Sequence, residues 1–192
     1  MATTLVLDSS VPGDGSVSRL LVEEAVQQLS KNNLGANVIR RDLGATPIPN
    51  VTTANVAGIK MEPSTDAELA VRGLSDELIA ELRAADTVVI GAPMYNFRIP
   101  TGLRASETFR HTEAGPQSLL TDKRVIVLEP RGDLYCKGPA QAIDFQKPYL
   151  RTLLGLIGLG DVTLIHAEKI GFGPKARETA LASAKQVLAV AA

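Results

Sequence analysis

Residues 87–100, which read T-V-V-I-G-A-P-M-Y-N-F-R-I-P, constrain the fold more than any other stretch of this 192-residue chain. The run 87–90 is apolar or β-branched throughout and contains no alternating polar residue. Such a run is typical of a parallel strand that is buried on both faces. Gly91 and Pro93 end this strand, so the sequence predicts an open α/β sheet in which residues 94–97 form the exit loop of a central strand.

This exit loop contains two aromatic rings, a thioether and an amide. Loops at the carboxyl ends of parallel strands often bind ligands, and this mixture of side chains suits a planar polar heterocycle. Backbone groups would bind the edge of the heterocycle, while the rings and Met94 would contact its faces. The alternative interpretation is a loop whose aromatic rings only cover the core.

The composition excludes several classes of protein. With 45% hydrophobic and 21% charged residues the chain is globular, and its length predicts one domain. The net charge of −1 argues against a broad electrostatic surface for nucleic acid. There is no apolar run of about 18 residues and no signal-like N-terminus, so we expect no membrane span and a cytoplasmic location.

Reactive side chains are few. Cys136 is the single cysteine, which excludes an intrachain disulfide and a multi-cysteine zinc site. The two histidines, His111 and His166, do not have the spacing of a metal site. The chain also lacks the G-x-x-x-x-G-K-[ST] sequence of P-loop proteins and the G-x-S-x-G sequence of serine hydrolases. We therefore predict neither a metal centre nor a nucleophilic side chain.

Hydrophobic periodicity divides the chain into strands that alternate with helices, which predicts a doubly wound α/β sheet. The first helix has its N-cap at Ser16, and residues 64–68 form a capping pattern before another helix. The predicted strands are residues 3–8, 36–42, 87–90, 123–129 and 161–167, and the main helices begin near residues 16, 65, 148 and 174.

The remaining segments give weaker signals. Residues 43–64 form a long connection with a short helix near residues 51–58, and Pro100 is placed to open another helix. Residues 109–120 are predicted to be irregular, with a turn at Gly115-Pro116. The helix that begins near residue 65 is predicted to turn six apolar side chains inward: Leu69, Val71, Leu74, Leu78, Ile79 and Leu82.

The loop after the first strand is rich in glycine and hydroxyl groups. Its sequence resembles the dinucleotide fingerprint G-x-G-x-x-G, with Ser18 in place of the third glycine and Asp42 as the acid that would bind the ribose. A monophosphate site is the second interpretation, because Ser10, Ser16 and Ser18 supply hydroxyls and a helix start supplies N–H groups. Simple N-capping in a flexible turn is the third.

The predicted topology brings three loops to one edge of the sheet. Right-handed crossovers place the loops after the first, third and fourth strands there. With the strand order 2-1-3-4-5 the switch point lies between strands one and three, so a phosphate in the first loop would put an attached ring at the third. This convergence favours a ligand site over loops that only cover the core.

Several of these segments resemble the bacterial FMN-dependent NADH azoreductase and NADH:quinone oxidoreductase family, once described as acyl carrier protein phosphodiesterase. The specific match is A-P-M-Y-N-F over residues 92–97, followed by I-P-T over residues 99–101. Further matches, which extend the resemblance nearly from end to end, are R-D-L at 41–43, L-S-D-E-L at 74–78, G-P at 115–116 and G-L-I-G at 155–158.

The resemblance implies a flavodoxin-like homodimer with five parallel strands. Hydride would pass from NADH or NADPH to FMN, and two electrons would then reduce a quinone or an azo compound. Because the chemistry resides in the flavin, no catalytic side chain is implied. The resemblance assigns Ser10, Ser16, Val17 and Ser18 to the FMN phosphate, Pro93, Met94, Tyr95, Asn96 and Phe97 to the isoalloxazine ring, and Pro130, Arg131, Gly132 and Asp133 to its pyrimidine edge.

The chain departs from the family pattern at three places. Pro130 and Asp133 stand where the family reads S and G in S-R-G-G, which removes an N–H donor and adds a carboxylate. Leu156 stands where an aromatic residue is common, and the segment 103–109 is shorter than in the family. A flavin-binding electron carrier or sensor with little NADH turnover is the alternative function.

Overall fold

A computed structural model describes residues 1–11, 15–50, 52–99, 109–112, 115–118 and 120–191. Its strands are β1 (Thr3–Asp8), β2 (Asn37–Asp42), β3 (Thr87–Gly91), β4 (Phe109–Thr112), β5 (Gly115–Ser118), β6 (Arg124–Pro130) and β7 (Asp161–Ala167). Five of these strands form a parallel sheet in the order β2-β1-β3-β6-β7, while β4 and β5 form a separate antiparallel hairpin. The sheet confirms the predicted order 2-1-3-4-5 and places the switch point between β1 and β3.

Helices cover both faces of the sheet. They are α1 (Val17–Asn32), α2 (Ala57–Lys60), α3 (Asp66–Ala84), α4 (Gln146–Leu156) and α5 (Pro174–Ala191), with a 3-10 turn over Pro139–Ile143. The apolar side chains of α1 and α5 form one core with the sheet, and those of α3 and α4 form a second core on the opposite face. The sheet therefore lies between two helical layers, and its carboxyl edge remains open for the loops.

The two inner strands β3 and β6 are buried without alternation. Val88 and Val89 of β3 are fully buried, as are residues 125–128 of β6. Val89 pairs with Val6 of β1 on one side and with Ile126 of β6 on the other. The continuous apolar run thus corresponds to a strand with helices on both faces, as its composition predicts.

Helix α3 buries less of its apolar face than the sequence predicts. Leu69 is 54% exposed, and the buried residues of this helix are Ser75 and Leu82. The first half of α3 packs against α2 instead of the sheet, since Gly58 of α2 lies directly against the backbone of Glu68. The prediction of six inward side chains was wrong for Leu69, while Leu82 is buried and the other four are half-buried. Periodicity identifies an apolar face, not the neighbour that covers it.

Residues 109–118 form a hairpin where the sequence predicts an irregular segment. Gly115 and Pro116 lie in β5, opposite Thr112 and His111 of β4, and so are not the predicted turn. A two-stranded hairpin tolerates proline because each strand has a free edge.

Two helix boundaries also differ from the prediction, since α4 begins at Gln146 rather than Pro148 and the short helix covers Ala57–Lys60. The predicted helix at residue 100 and nearly all of the segment 103–109 lie outside the described residues.

Candidate functional site

The loops after β1, β3 and β6 meet at the carboxyl edge of the sheet. Both the backbone N–H and the hydroxyl of Ser9 donate to the carbonyl of Gly91, at 3.3 Å and 2.6 Å. The N–H of Met94 donates to the carbonyl of Pro130 at 3.1 Å. These bonds join the first loop to the second and the second to the third, so the three predicted loops form one surface.

The N-terminus of α1 carries a set of buried hydroxyl groups, which we call the serine pocket and define as Ser10, Ser16 and Ser18. Ser16 is the N-cap, because its Oγ accepts a hydrogen bond from the N–H of Arg19 at 3.4 Å, and it lies 2.9 Å from Oγ of Ser18. Buried hydroxyls beside the free N–H groups of a first helical turn are the donors that a phosphate needs. The predicted N-cap at Ser16 is confirmed, while residues 13 and 14 of the fingerprint lie outside the described residues.

Arg19 ties the loop after β1 to the end of β2. Its Nη2 donates to the carbonyl of Ser10 at 3.2 Å and to Oδ1 of Asp42 at 2.7 Å. The same carboxylate accepts hydrogen bonds from the N–H groups of Gly44 and Ala45. Burial alone would raise the pKa of Asp42, but the N–H of Ala45 and the guanidinium of Arg19 hold this pKa below its usual value. Asp42, the candidate ribose ligand, is thus engaged in holding the serine pocket.

Asp8, the last residue of β1, places a buried carboxyl group beside the serine pocket. Its Oδ1 has no hydrogen-bond partner among the described residues. A Cβ at Gly91 would lie 3.3 Å from this oxygen and 3.5 Å from the Cβ of Ser18. Burial raises the pKa of Asp8 above its usual value, despite the nearby positive charge of Arg19. Protonated Asp8 is a hydrogen-bond donor, whereas ionised Asp8 repels an anion in the pocket.

The loop after β3 turns through two left-handed residues, Asn96 with φ of 47° and Phe97 with φ of 64°. Tyr95 and Arg98 exchange backbone hydrogen bonds of 2.9 Å and 3.0 Å around this turn. The left-handed conformation costs a non-glycine residue about 1–2 kcal/mol, so other contacts must hold the turn. One such contact is the edge-to-face packing of Phe97 on Tyr135, with ring centroids 6.1 Å apart. The strained turn leaves Phe97 exposed at the carboxyl edge of the sheet.

The predicted segment 130–133, which spans the last residue of β6 and the start of the loop after it, has a buried half and an exposed half. Pro130 and Arg131 are buried, and Gly132 and Asp133 are exposed. The N–H of Arg131 donates to the carbonyl of Ala167, and the loop after β7 donates to the carbonyls of residues 131–133. The Arg131 side chain is buried and its guanidinium pairs with the carboxylates of Glu129 and Asp144, so it is not available to a ligand at the edge.

A groove of about 370 Å³ lies beside the Phe97 turn. Its volume is sufficient for one aromatic ring system. Arg98, which lines this groove, makes no ion pair with another described residue. The lining residues are Arg98, Ile99, Phe145, Pro148 and Tyr149.

Two further findings concern the described residues as a set. They contain no group of three side chains that could hold a metal ion. Their helices are either too short or too polar to cross a membrane.

Comparisons with known proteins agree with this geometry. A family model described as the flavodoxin-like fold matches residues 2–191. An FMN-dependent NADH:quinone oxidoreductase of Hyphomonas neptunium (strain ATCC 15444) is 58% identical, over 98% of this chain and 95% of that protein. The chain belongs to the FMN-dependent NADH:quinone oxidoreductase family.

A second relative and a solved structure are also similar to this oxidoreductase. An FMN-dependent NADH:quinone oxidoreductase of Ralstonia nicotianae (strain ATCC BAA-1114 / GMI1000) is 42% identical, over 94% of this chain and 92% of that protein. The crystal structure of an azoreductase from Bacillus anthracis str. Sterne has a TM-score of 0.87 at 24% identity, covering 100% and 98% of the two chains. At that identity the last likeness shows the fold alone. The resemblance seen in A-P-M-Y-N-F is confirmed.

Three polar residues that support the site of this oxidoreductase were missed by the sequence interpretation. Gln146 is buried and its Nε2 donates to the carbonyl of Ala92 at 2.8 Å, directly before the Met94 loop. Asp144 and Glu168 both reach the guanidinium of Arg131. Their positions in the sequence could have indicated them. Asp144 and Gln146 lie near the predicted start of a helix, and Glu168 directly follows the last predicted strand.

Proposed function

We propose that this protein transfers hydride from NADH or NADPH to bound FMN and then two electrons to a quinone or an aromatic azo compound. The names of its relatives support this reaction. The structural observation that carries the proposal is the junction of the serine pocket with the exposed Phe97 turn at the switch point of the sheet. That junction offers phosphate donors at one end and an aromatic surface at the other.

The residues present fit FMN. The hydroxyls of the serine pocket and the N–H groups of Val17 and Ser18 would hold the phosphate. Residues 93–97 would lie along the ring system, and the exposed Gly132 and Asp133 would reach its pyrimidine edge. Pro130 and Arg131 would contribute only through the backbone, because their side chains are buried.

When bound, FMN supplies a ring that accepts hydride and returns two electrons. The overall reaction converts NADH, one proton and a quinone into NAD⁺ and the hydroquinone. The side chains therefore need only bind, orient and exclude water. Phe97 and the groove beside it provide an apolar surface for this task, and the nicotinamide and the acceptor would occupy the groove in turn.

A homodimer is part of the proposal. Phe145, the N-cap of α4, precedes Tyr149 and Leu156 of that helix at spacings of four and seven residues, which place the three on one face. They are 50%, 43% and 41% exposed. An apolar stripe of this kind on the surface of a helix favours association with a second copy of the chain. We also propose that residues 1–192 form a single domain and that the protein is cytoplasmic.

The test is the purified protein itself. It should be yellow, should release FMN rather than FAD on denaturation, and should be bleached rapidly by NADH under anaerobic conditions. Reoxidation by menadione at a comparable rate would complete the cycle. Slow bleaching by NADH with intact FMN binding would favour the electron carrier or sensor, and failure to bind FMN in the folded state would refute the proposal.

A further inference from the structure

Arg131 is the centre of a buried charge cluster, which we call the Arg131 cluster and define as Arg131, Glu129, Asp144 and Glu168. Its Nη2 lies 3.0 Å from Oε2 of Glu129, and its Nη1 lies 2.9 Å from Oδ2 of Asp144 and 3.6 Å from Oε1 of Glu168. The four side chains are at most 11% exposed. The carboxylates come from β6, from the segment before α4 and from the loop after β7, so one guanidinium joins three parts of the chain.

Two of the carboxylates are compensated by backbone donors. Oδ1 of Asp144 accepts two hydrogen bonds at the N-terminus of α4, where the helix dipole also favours negative charge. Oε1 of Glu168 accepts two more, each of 2.8 Å. The donors are the N–H groups of Gln146 and Lys147 for Asp144, and those of Tyr135 and Cys136 for Glu168.

The carboxylate of Glu129 accepts no backbone hydrogen bond of this kind from the described residues. Its Oε2 lies near Arg131 and 2.7 Å from Nδ1 of His166, but its Oε1 is buried with no hydrogen-bond partner in the described part of the chain. Three carboxylates therefore share one guanidinium, and of these three Glu129 also lies beside the imidazole of His166. Because the side chains are buried, water and salt screen this excess of negative charge weakly.

The Arg131 cluster lies directly behind the candidate flavin site. The backbone of Arg131 continues into Gly132 and Asp133, the exposed half of the loop after β6. Asp144 precedes Gln146, which donates to the carbonyl of Ala92 before the Phe97 turn. Movement of the guanidinium would therefore disturb both loops.

We propose that Arg131 is a positioning residue for the two flavin loops and that the buried charge of Glu129 makes bound FMN harder to reduce. The inference rests on the proposed function, because it needs FMN at this edge. A negative charge behind the ring opposes the uptake of electrons, which adds negative charge to the flavin. Removing the charge without changing the shape of the side chain should shift the balance towards reduced FMN.

The test compares Glu129→Gln with the wild-type protein. The affinity for oxidised FMN and for reduced FMN is measured by titration, and the stability of the protein without flavin by thermal unfolding. We expect the ratio of the two dissociation constants, oxidised over reduced, to rise by about threefold or more, because removal of one negative charge favours the more negative, reduced flavin. Glu24→Gln, which removes a carboxylate of α1 that pairs with Lys185 of α5, should leave the ratio unchanged.

Arg131→Lys tests the positioning role, and it is the second variant to measure if Glu129→Gln does not fold. Lysine keeps the charge but cannot form the forked contacts of arginine. We expect it to restore most of the thermal stability lost in Arg131→Met while FMN binds at least tenfold more weakly than to wild type. Wild-type FMN affinity in Arg131→Lys would overturn the positioning role, and an unchanged ratio in Glu129→Gln would overturn the redox role. A wild-type protein that binds no FMN would instead refute the proposed function.

Discussion

Replacing Ser18 by alanine tests the serine pocket directly. Oγ of Ser18 is at 0% exposure and lies 2.9 Å from Oγ of Ser16, but it caps no backbone group. A hydrogen bond to a charged group contributes about 1.5–3 kcal/mol, so Ser18→Ala should weaken FMN binding by roughly 10- to 150-fold. The fold loses only a bond between two neutral hydroxyls, about 0.5–1.5 kcal/mol. The melting temperature should therefore fall by about 1–6 °C.

Ser16→Ala separates binding from helix capping. Its hydroxyl is both a candidate phosphate ligand and the N-cap of α1, so the variant should lose FMN affinity and, in addition, about 0.5–2 kcal/mol of stability. Ser30→Ala removes a hydroxyl at the other end of the same helix and is the matched control. Its FMN affinity should equal that of the wild type.

The assay is a fluorescence titration of the flavin-free protein with FMN and, in parallel, with riboflavin. Riboflavin carries the same ring without the phosphate, so its affinity should hardly change in Ser16→Ala or Ser18→Ala. Equal losses for FMN and riboflavin would show that the mutations disturb the ring site. Unchanged FMN affinity in both variants would refute the assignment of the phosphate to the serine pocket.

Three further predictions concern other parts of the site. Asp8→Asn should bind FMN more tightly near neutral pH, and its unfolding should lose the part of the pH dependence that Asp8 causes. Burial raises the pKa of Asp8 in the folded state. Its contribution to stability therefore falls as pH rises above about 4, the ordinary aspartate value. Calorimetry from about pH 4 to 8 on both proteins measures this loss of stability. Arg98→Gln should lower kcat/KM for a naphthoquinone sulfonate about two- to fivefold relative to menadione, the size of an exposed ion pair, and equal effects on both acceptors would contradict it. Leu156→Glu should shift sedimentation at micromolar concentration from dimer towards monomer, and Glu178→Gln, a charge change on α5, should not.

The parts of the fold that the sequence predicted well depend on local chemistry. The continuous apolar runs of β3 and β6 match strands with helices on both faces, and the predicted strand 161–167 coincides with β7. The N-cap at Ser16 follows from the preference of hydroxyl side chains for the first free N–H groups of a helix. The topology then follows from the right-handedness of parallel crossovers, which is why three separate loops were predicted to meet.

The parts that were predicted poorly depend on which neighbour covers a residue. The apolar face of α3 was recognised, but its first half packs on α2 and leaves Leu69 exposed. The hairpin β4-β5 was not predicted, because the dipeptide Gly115-Pro116 is typical of a turn. Only its pairing with Thr112 and His111 shows that this dipeptide lies in a strand. Neither arrangement is encoded in a window of a few residues.

Arg131 shows how this limit affects the site itself. An arginine in a strand-exit loop suggests contact with an anionic or polar ligand, and nothing within the loop indicates otherwise. Glu129 lies two residues before it, near the end of β6, but a pair of that spacing occurs at the surface as well as in the interior. Asp144 and Glu168, which lie 13 and 37 residues later in the chain, decide that the guanidinium is buried. The exposed half of the loop is thus joined to a charge cluster assembled from three other segments, and substitutions at Gly132 or Asp133 act on a backbone that Arg131 anchors.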